Sequence, residues 1–346
     1  MREVIRKPTG EISISDVDEI TNLDIRGRGI VDLQGIEYFA GLITLDCSGN
    51  KLTSLNLRHN PALEALNCEK NLILMLEVWQ NSALKSLNCA FNRLTMLDIS
   101  RNIALESLVC DRNDLEALDT SKNRKLSKLS CVSNPLTVLD IKSNTKLRWL
   151  ECDDSEIATL DVRNNSELET LSCGQNLLTT LDVSQNLALK RLSCNDNELT
   201  TLDASDHSML YYLACEGNLL TSLNLNGSAE LSVVTAYDNQ LITLDVSENP
   251  MLVELNCSDN QLKTLNLSNN PLLELLLCED NKLSTLDVSQ NPVLKELHCG
   301  GNRLTALDLS CNPALIVLFC PNNLFPDRSR ILGLDENKLE YFYFAP

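Results

Sequence analysis

Apolar and polar positions alternate along this chain in a unit that returns every 21 residues. Residues 42–61, L-I-T-L-D-C-S-G-N-K-L-T-S-L-N-L-R-H-N-P, contain L-x-x-L-x-C-x-x-N-x-L followed by L-x-x-L-x-L-x-x-N. The L-x-C and L-x-L alternations are the period-2 signature of strands that bury one face, so each unit predicts two strand-like halves that share a coil. The columns hold when read from unit to unit. Leu45 recurs as leucine as far as Leu318 except at Val234, and Leu63 recurs without exception to Leu315. Asn50 recurs to Asn323 except at Ser155, and Asn60 recurs to Asn312 except at His207 and Ser228. A unit this short cannot bury its apolar face alone and must stack on its neighbours, which predicts a repeat solenoid, mainly β.

Cysteine marks the same period. It stands at 47, 68, 89, 110, 131, 152, 173, 194 and 215, then at 257, 278, 299 and 320, with Ala236 in the missing place and only Cys311 off the grid. No C-x-x-C pair occurs, so the local spacing of a zinc or thioredoxin-type site is absent. Neighbouring coils lie about 4.8 Å apart, and parallel side chains keep their Cβ atoms near that distance, beyond the usual disulfide spacing. Free thiols acting as narrow core residues are therefore expected. The two asparagine columns fall where the chain must turn, and their amides can satisfy backbone groups left unpaired there. Replacing one by alanine is expected to cost about 1–3 kcal/mol, and Ser155 is a natural test.

Residues 1–35 are irregular and predict an N-terminal cap, with Ser15 and Asp18 suggesting a capped short helix over 16–21. Residues 36–323 predict about 14 coils, and 324–346 a C-terminal cap in which the aromatic run 341–344 hides the open end. The alternative for that run is an exposed adhesive patch.

L-x-x-L-x-C-x-x-N-x-L is the leucine-rich repeat pattern with cysteine in one leucine slot. The 21-residue unit, with L-T-T-L-D-V-S-Q-N over residues 178–186, resembles the cysteine-ladder repeats of bacterial internalin-type surface proteins. K-P-T-G-E-I over residues 7–12 and G-I-E-Y-F over 35–39 resemble their N-terminal cap region. The resemblance implies a right-handed superhelix with one parallel sheet on the concave side, short strands or turns on the other, and a role in binding at host or matrix surfaces.

Composition narrows the partners. With 29 basic against 48 acidic residues the net charge is -19, which repels phosphate backbones and makes nucleic acid an unsuitable partner. No apolar run reaches the ~18 residues needed to span a bilayer, so no membrane insertion is expected. Residues 1–7 are charged with no apolar h-region after them, so no signal peptide is read and location at the cell surface rests on the resemblance. A soluble monomer is expected.

No G-x-S-x-G, P-loop or dinucleotide fingerprint is present, and His59, His207 and His298 fall in three different columns. His298 and Cys299 are adjacent on a strand and so point to opposite faces. No catalysis and no cofactor are expected. An aspartate column (Asp98, Asp119, Asp140, Asp161 and onward) stacks like charges, which either local hydrogen bonds or cations must relieve. Cys311 occupies a corner column and should be exposed.

Binding is expected on the outward positions of the cysteine strands, which vary while the D-V-S strand repeats. In-register stacking would place Trp149 two coils from Arg191 and Tyr212 one coil further, and Glu151, Asp153, Glu216 and Tyr237 lie in the adjoining columns. Trp, Tyr and Arg dominate interface energetics. A protein ligand is the expected partner; a carbohydrate stacked on Trp149, Tyr212 and Tyr237 is the alternative, and an intracellular or host-delivered effector a third. Leu275, Leu277, His298 and Phe319 form a second, apolar group.

Overall fold

The leucine two residues before each cysteine is the centre of a three-residue strand. In Thr44–Asp46 it is Leu45, buried, with half-buried residues on either side, and the cysteine that follows continues the inward alternation. The structure, a computed structural model, describes residues 13–345; the 7–12 segment that carried part of the resemblance lies outside them.

The chain forms two compact units, Met1–Leu168 and Glu169–Pro346. In the first, strands Asn22–Asp24, Thr44–Asp46, Ala65–Asn67, Ser86–Asn88, Ser107–Val109, Lys128–Ser130 and Trp149–Glu151 pair in that order, all parallel. Register follows the leucines: Leu23 lies opposite Leu45, Leu45 opposite Leu66, Leu66 opposite Leu87. In the second unit Thr170–Ser172, Arg191–Ser193, Tyr212–Ala214, Val233–Thr235, Glu254–Asn256, Leu275–Leu277, Glu296–His298, Val317–Phe319 and Tyr341–Tyr343 pair in the same way. This is a parallel β-solenoid, as the repeat predicts.

Inside each coil the leucine and cysteine columns are buried, Leu63, Cys68 and Leu84 completely. Thiols also reach backbone: Cys110 Sγ donates to Ser130 O at 3.5 Å and Cys278 Sγ to His298 O at 3.4 Å. All fourteen cysteines are free, thirteen of them buried and Cys311 exposed.

The first asparagine column ties each coil to the one before. Asn71 Nδ2 donates to Cys68 O and to Cys47 O, both at 3.0 Å, while its Oδ1 accepts Leu52 N–H at 2.9 Å. Ser155 cannot do this: its Oγ is buried without a partner, and Leu136 N–H turns to Asn134 O. In the second column Asn81 Nδ2 donates to Leu57 O and Asn60 O, but Oδ1 is buried with no partner at Asn60, Asn81, Asn102, Asn123 and four later positions. Asn144 differs, because Thr120, in a column otherwise apolar, donates its hydroxyl to Asn144 Oδ1 at 2.7 Å. His207, buried in this column, places Nε2 3.1 Å from Val183 O and Nδ1 2.7 Å from Ser205 O.

Two expectations are corrected. The second half of the coil is not generally a strand: on that side only Leu55–Asn56 with Leu76–Glu77, Thr201–Asp203 with Ser222–Asn224, and Leu307–Asp308 with Ile331–Leu332 pair among the described residues. The asparagine column joins successive coils whether or not strands pair: Val78 O accepts Asn81 N–H at 2.9 Å and Asn102 Nδ2 at 3.0 Å, just as Leu57 O, beside a paired strand, accepts Asn60 N–H and Asn81 Nδ2 at 3.0 Å. Nor is there a helix over 16–21; a single 3-10 turn, Ile14–Asp16, stands instead. Its start is capped two residues earlier than Ser15, since Asp16 Oδ2 accepts both Ser13 N–H and Ser13 Oγ–H at 2.6 Å.

Candidate functional site

Residues flanking each strand leucine point away from the core, so every coil offers a short outward row from its cysteine strand. The seven residues chosen from the sequence divide between the two units. Trp149, Glu151 and Asp153 lie in the first, Arg191, Tyr212, Glu216 and Tyr237 in the second.

In the first unit the Trp149 side chain is 39% exposed and Lys128 lies over its ring, Nζ to centroid 5.3 Å. Glu151 Oε2 is 3.1 Å from Ser130 Oγ, which is also 2.7 Å from Asp111 Oδ1, so one hydroxyl serves two carboxylates. Burial, and then the nearby Glu151 charge, pushes the Asp111 carboxyl up, against the lowering effect of its hydrogen bonds from Ser130 and Val132. Asp153 is half-buried.

The second unit brings its members closer. The Arg191 guanidinium sits 4.1 Å from the Tyr212 ring centroid and 5.7 Å from that of Tyr211, and its Nη1 donates to Tyr211 Oη at 3.4 Å. The guanidinium is thus held against two phenol rings. Glu216 Oε2 accepts the Thr235 hydroxyl at 2.5 Å. Tyr237 is 39% exposed, and burial with the carboxylates of Glu216, Asp196 and Asp238 pushes its phenol up. Further along, His298, Phe319 and Tyr343 stack at centroid separations of 5.4 and 5.2 Å, and Glu296 Oε1 lies 2.8 Å from His298 Nε2 without the alignment of a hydrogen bond.

The aspartate column is relieved locally. Asp98, Asp119, Asp182, Asp245, Asp287 and Asp308 each accept the backbone N–H two residues on, at 2.8–3.0 Å. Hydrogen bonds from Ser100 hold Asp98 below the usual carboxylate range, and the Arg163 hydrogen bonds bring Asp161 down to about 2. No cluster of three or more metal-type side chains capable of holding an ion occurs among the described residues.

Sequence reasoning missed two features. Tyr211 precedes the strand and so falls outside the columns inspected, although it completes the clamp on Arg191. The other is a cavity of about 440 Å³ on the outward face of the first unit, lined by Asn22, Asp24, Thr44, Asp46, Ala65, Asn67, Ser86 and Asn88 among others. It exists because small side chains, Thr44, Ala65 and Ser86, follow one another in one column. The absence of bulk was its signal.

Stacked parallel strands, a leucine core and a variable outward row define the class: a leucine-rich repeat interaction module. No family model and no curated protein matches the chain. Among solved structures, the functional domain of InlJ from Listeria monocytogenes, which includes a cysteine ladder, is 33% identical with TM-score 0.78, covering 90% of this chain and 75% of that one. A leucine-rich repeat protein of Leptospira interrogans is 26% identical with TM-score 0.78, covering 90% and 86%. The leucine-rich effector protein YopM of Yersinia pestis, at 24% identity, TM-score 0.68 and coverage of 88% and 89%, shares the fold. The chain belongs to the internalin family of leucine-rich repeat proteins, with the cysteine ladder as its core device.

Proposed function

We propose that the chain is a non-catalytic recognition scaffold that binds a protein partner through the outward rows of its cysteine strands, as an adhesin-like module at a bacterial surface or in its surroundings. The observation that carries this is Arg191 held over Tyr212 and bonded to Tyr211. A cation fixed in advance loses little freedom on binding, and Arg and Tyr are the side chains on which interface energy concentrates. Glu216 and Tyr237 extend that row within the second unit. Trp149, with Glu151 and Asp153, would serve in the first. Kinship with the internalin family supports the surface reading. One face of Tyr212 is covered by Arg191, which favours a protein over a sugar ring stacked on that tyrosine.

The test is binding to a panel of purified matrix and cell-surface proteins, followed by biolayer interferometry. Wild-type protein should bind at least one, and Arg191→Ala and Tyr212→Ala should each weaken that binding tenfold or more while leaving the melting temperature unchanged. Equal binding by the two variants and the wild type would remove the reading.

A further inference from the structure

The cavity on the first unit differs in chemistry from the Arg191 clamp. It has no aromatic lining: Leu23, Leu45, Leu66 and Ala65 give it an apolar base, and amides, carboxylates and hydroxyls from successive strands stand around that base. These groups are held by one another. Asn67 Nδ2 donates to Asp46 Oδ2 at 3.1 Å, and Asn67 Oδ1 accepts Glu69 N–H at 3.2 Å. One coil on, Asn88 Nδ2 donates to Glu69 Oε2 at 3.1 Å, and its Oδ1 accepts Ala90 N–H at 3.1 Å. Thr44 Oγ1 donates to Asn22 Oδ1 at 2.6 Å. Each of the two amides thus has a fixed orientation, with one N–H and one lone pair left over.

A ligand that fits must offer donors and acceptors side by side, repeatedly. It must also match the step of the coils. Asp46, Asn67 and Asn88 are in register on adjacent strands, so the pattern repeats at about 4.8 Å. An extended peptide laid along that direction returns to the same side only every two residues, about 6.7 Å, and loses register within two coils. A chain of pyranose rings linked so that successive rings keep one orientation advances by about one ring per coil, and each ring carries vicinal hydroxyls that an amide or carboxylate engages in pairs. Charge selects further. Asp24 and Asp46 lie in the lining, with Arg26 bonded to Asp24 and 4.0 Å from Asp46, so an acidic polymer meets carboxylates while a neutral one meets only hydrogen-bonding groups.

We propose that this cleft binds a neutral glycan laid across the strands, one sugar ring to a coil, with Asp46, Asn67 and Asn88 as the repeating contacts and Ala65 giving the rings a floor without bulk. The protein-partner reading, which rests on residues of the second unit, stands or falls separately.

An array of neutral and acidic glycans, followed by titration of the soluble neutral oligosaccharide with the strongest signal, tests it. Wild-type protein should bind neutral glycans, trisaccharide more tightly than the corresponding monosaccharide. Ala65→Trp, which fills the cleft from an outward position, should reduce that affinity tenfold or more, and Asn67→Ala should do the same by removing atoms only. Arg191→Ala should bind the glycan as wild type does. The proposal is overturned if no neutral glycan binds, if only acidic ones bind, or if Asn67→Ala with an unchanged melting temperature binds like the wild type.

Discussion

At Ser155 the asparagine column loses its amide, and the backbone shows what the amide was for. Leu136 N–H, which an asparagine would accept, turns to Asn134 O at 2.7 Å, and the serine hydroxyl is left buried without a partner. Ser155→Asn would offer donors to Cys131 O and Cys152 O and an acceptor to Leu136 N–H, the pattern made at Asn71. Urea denaturation should show the variant more stable by about 1–2 kcal/mol; a loss of stability would mean the site has closed around serine. This exception was visible in the sequence because a column read residue by residue exposes its outliers. Thr120 was equally visible and yet unreadable, because its partner, Asn144, lies 24 residues on and is brought near only by the coil. Tyr211 escaped for a related reason: strand alternation assigns a face only to residues inside the strand.

The cysteine strand is the element that the sequence describes most completely, since period 2 places leucine and cysteine inward and the register repeats without slip. Burial pushes the Cys47, Cys89, Cys194, Cys257 and Cys320 thiols up to about 12 and leaves them unreactive as nucleophiles, because the thiolate is the reactive form. A thiol reagent such as DTNB should therefore titrate one group in the native protein, Cys311, and close to fourteen after unfolding in urea without reductant. A count near zero in urea would mean the ladder is oxidised. The other half of the coil was legible in its apolar positions and not in its pairing. Alternation reports which side chains are buried, and it is silent on whether the backbone between them pairs with the next coil. The 3-10 turn Ile14–Asp16 shows the same limit, because S-x-x-D spacing occurs twice within six residues and either can close a turn.

Across the whole molecule charge and burial act in opposite directions on stability. Asp98, Asp119, Asp161, Asp245, Asp287 and Asp308 are held below their ordinary values by hydrogen bonds, so what they contribute is present above about pH 4 and is lost as pH falls through their lowered values. Asp111, Asp259 and Glu279 are raised, chiefly by burial, so protonating them as pH falls through their raised values toward the ordinary carboxylate range favours the folded form. The thiols are raised too: their contribution is intact below about pH 9 and is lost as pH climbs toward 12. Melting temperature should therefore fall below about pH 4 and fall again above about pH 9. A profile still rising at pH 10 would contradict the burial of the ladder. Net charge was plain in the sequence, whereas the 440 Å³ cleft was not, since a run of Thr44, Ala65 and Ser86 carries no motif and acquires meaning only when strands set the three side by side.

The first asparagine column also governs how such a chain can change length. After Asn50, which reaches 25 residues back to Ile25 O across the longer first unit, the amides reach the carbonyls 3 and 24 residues back, as Asn92 does with Cys89 and Cys68. Removing residues 71–91 would bring Asn92 directly after Lys70, where the same two counts lead to Cys68 and Cys47, the contacts Asn71 makes now. Between the regular coils a change that is not a multiple of 21 residues must be absorbed in a turn, as the 22 residues from Leu23 to Leu45 are, or it puts leucine, cysteine and asparagine out of step with the coils beneath. Whole coils can therefore be removed or duplicated without disturbing the contacts of the coils beneath, so variants that differ by 21 residues should keep the same stack.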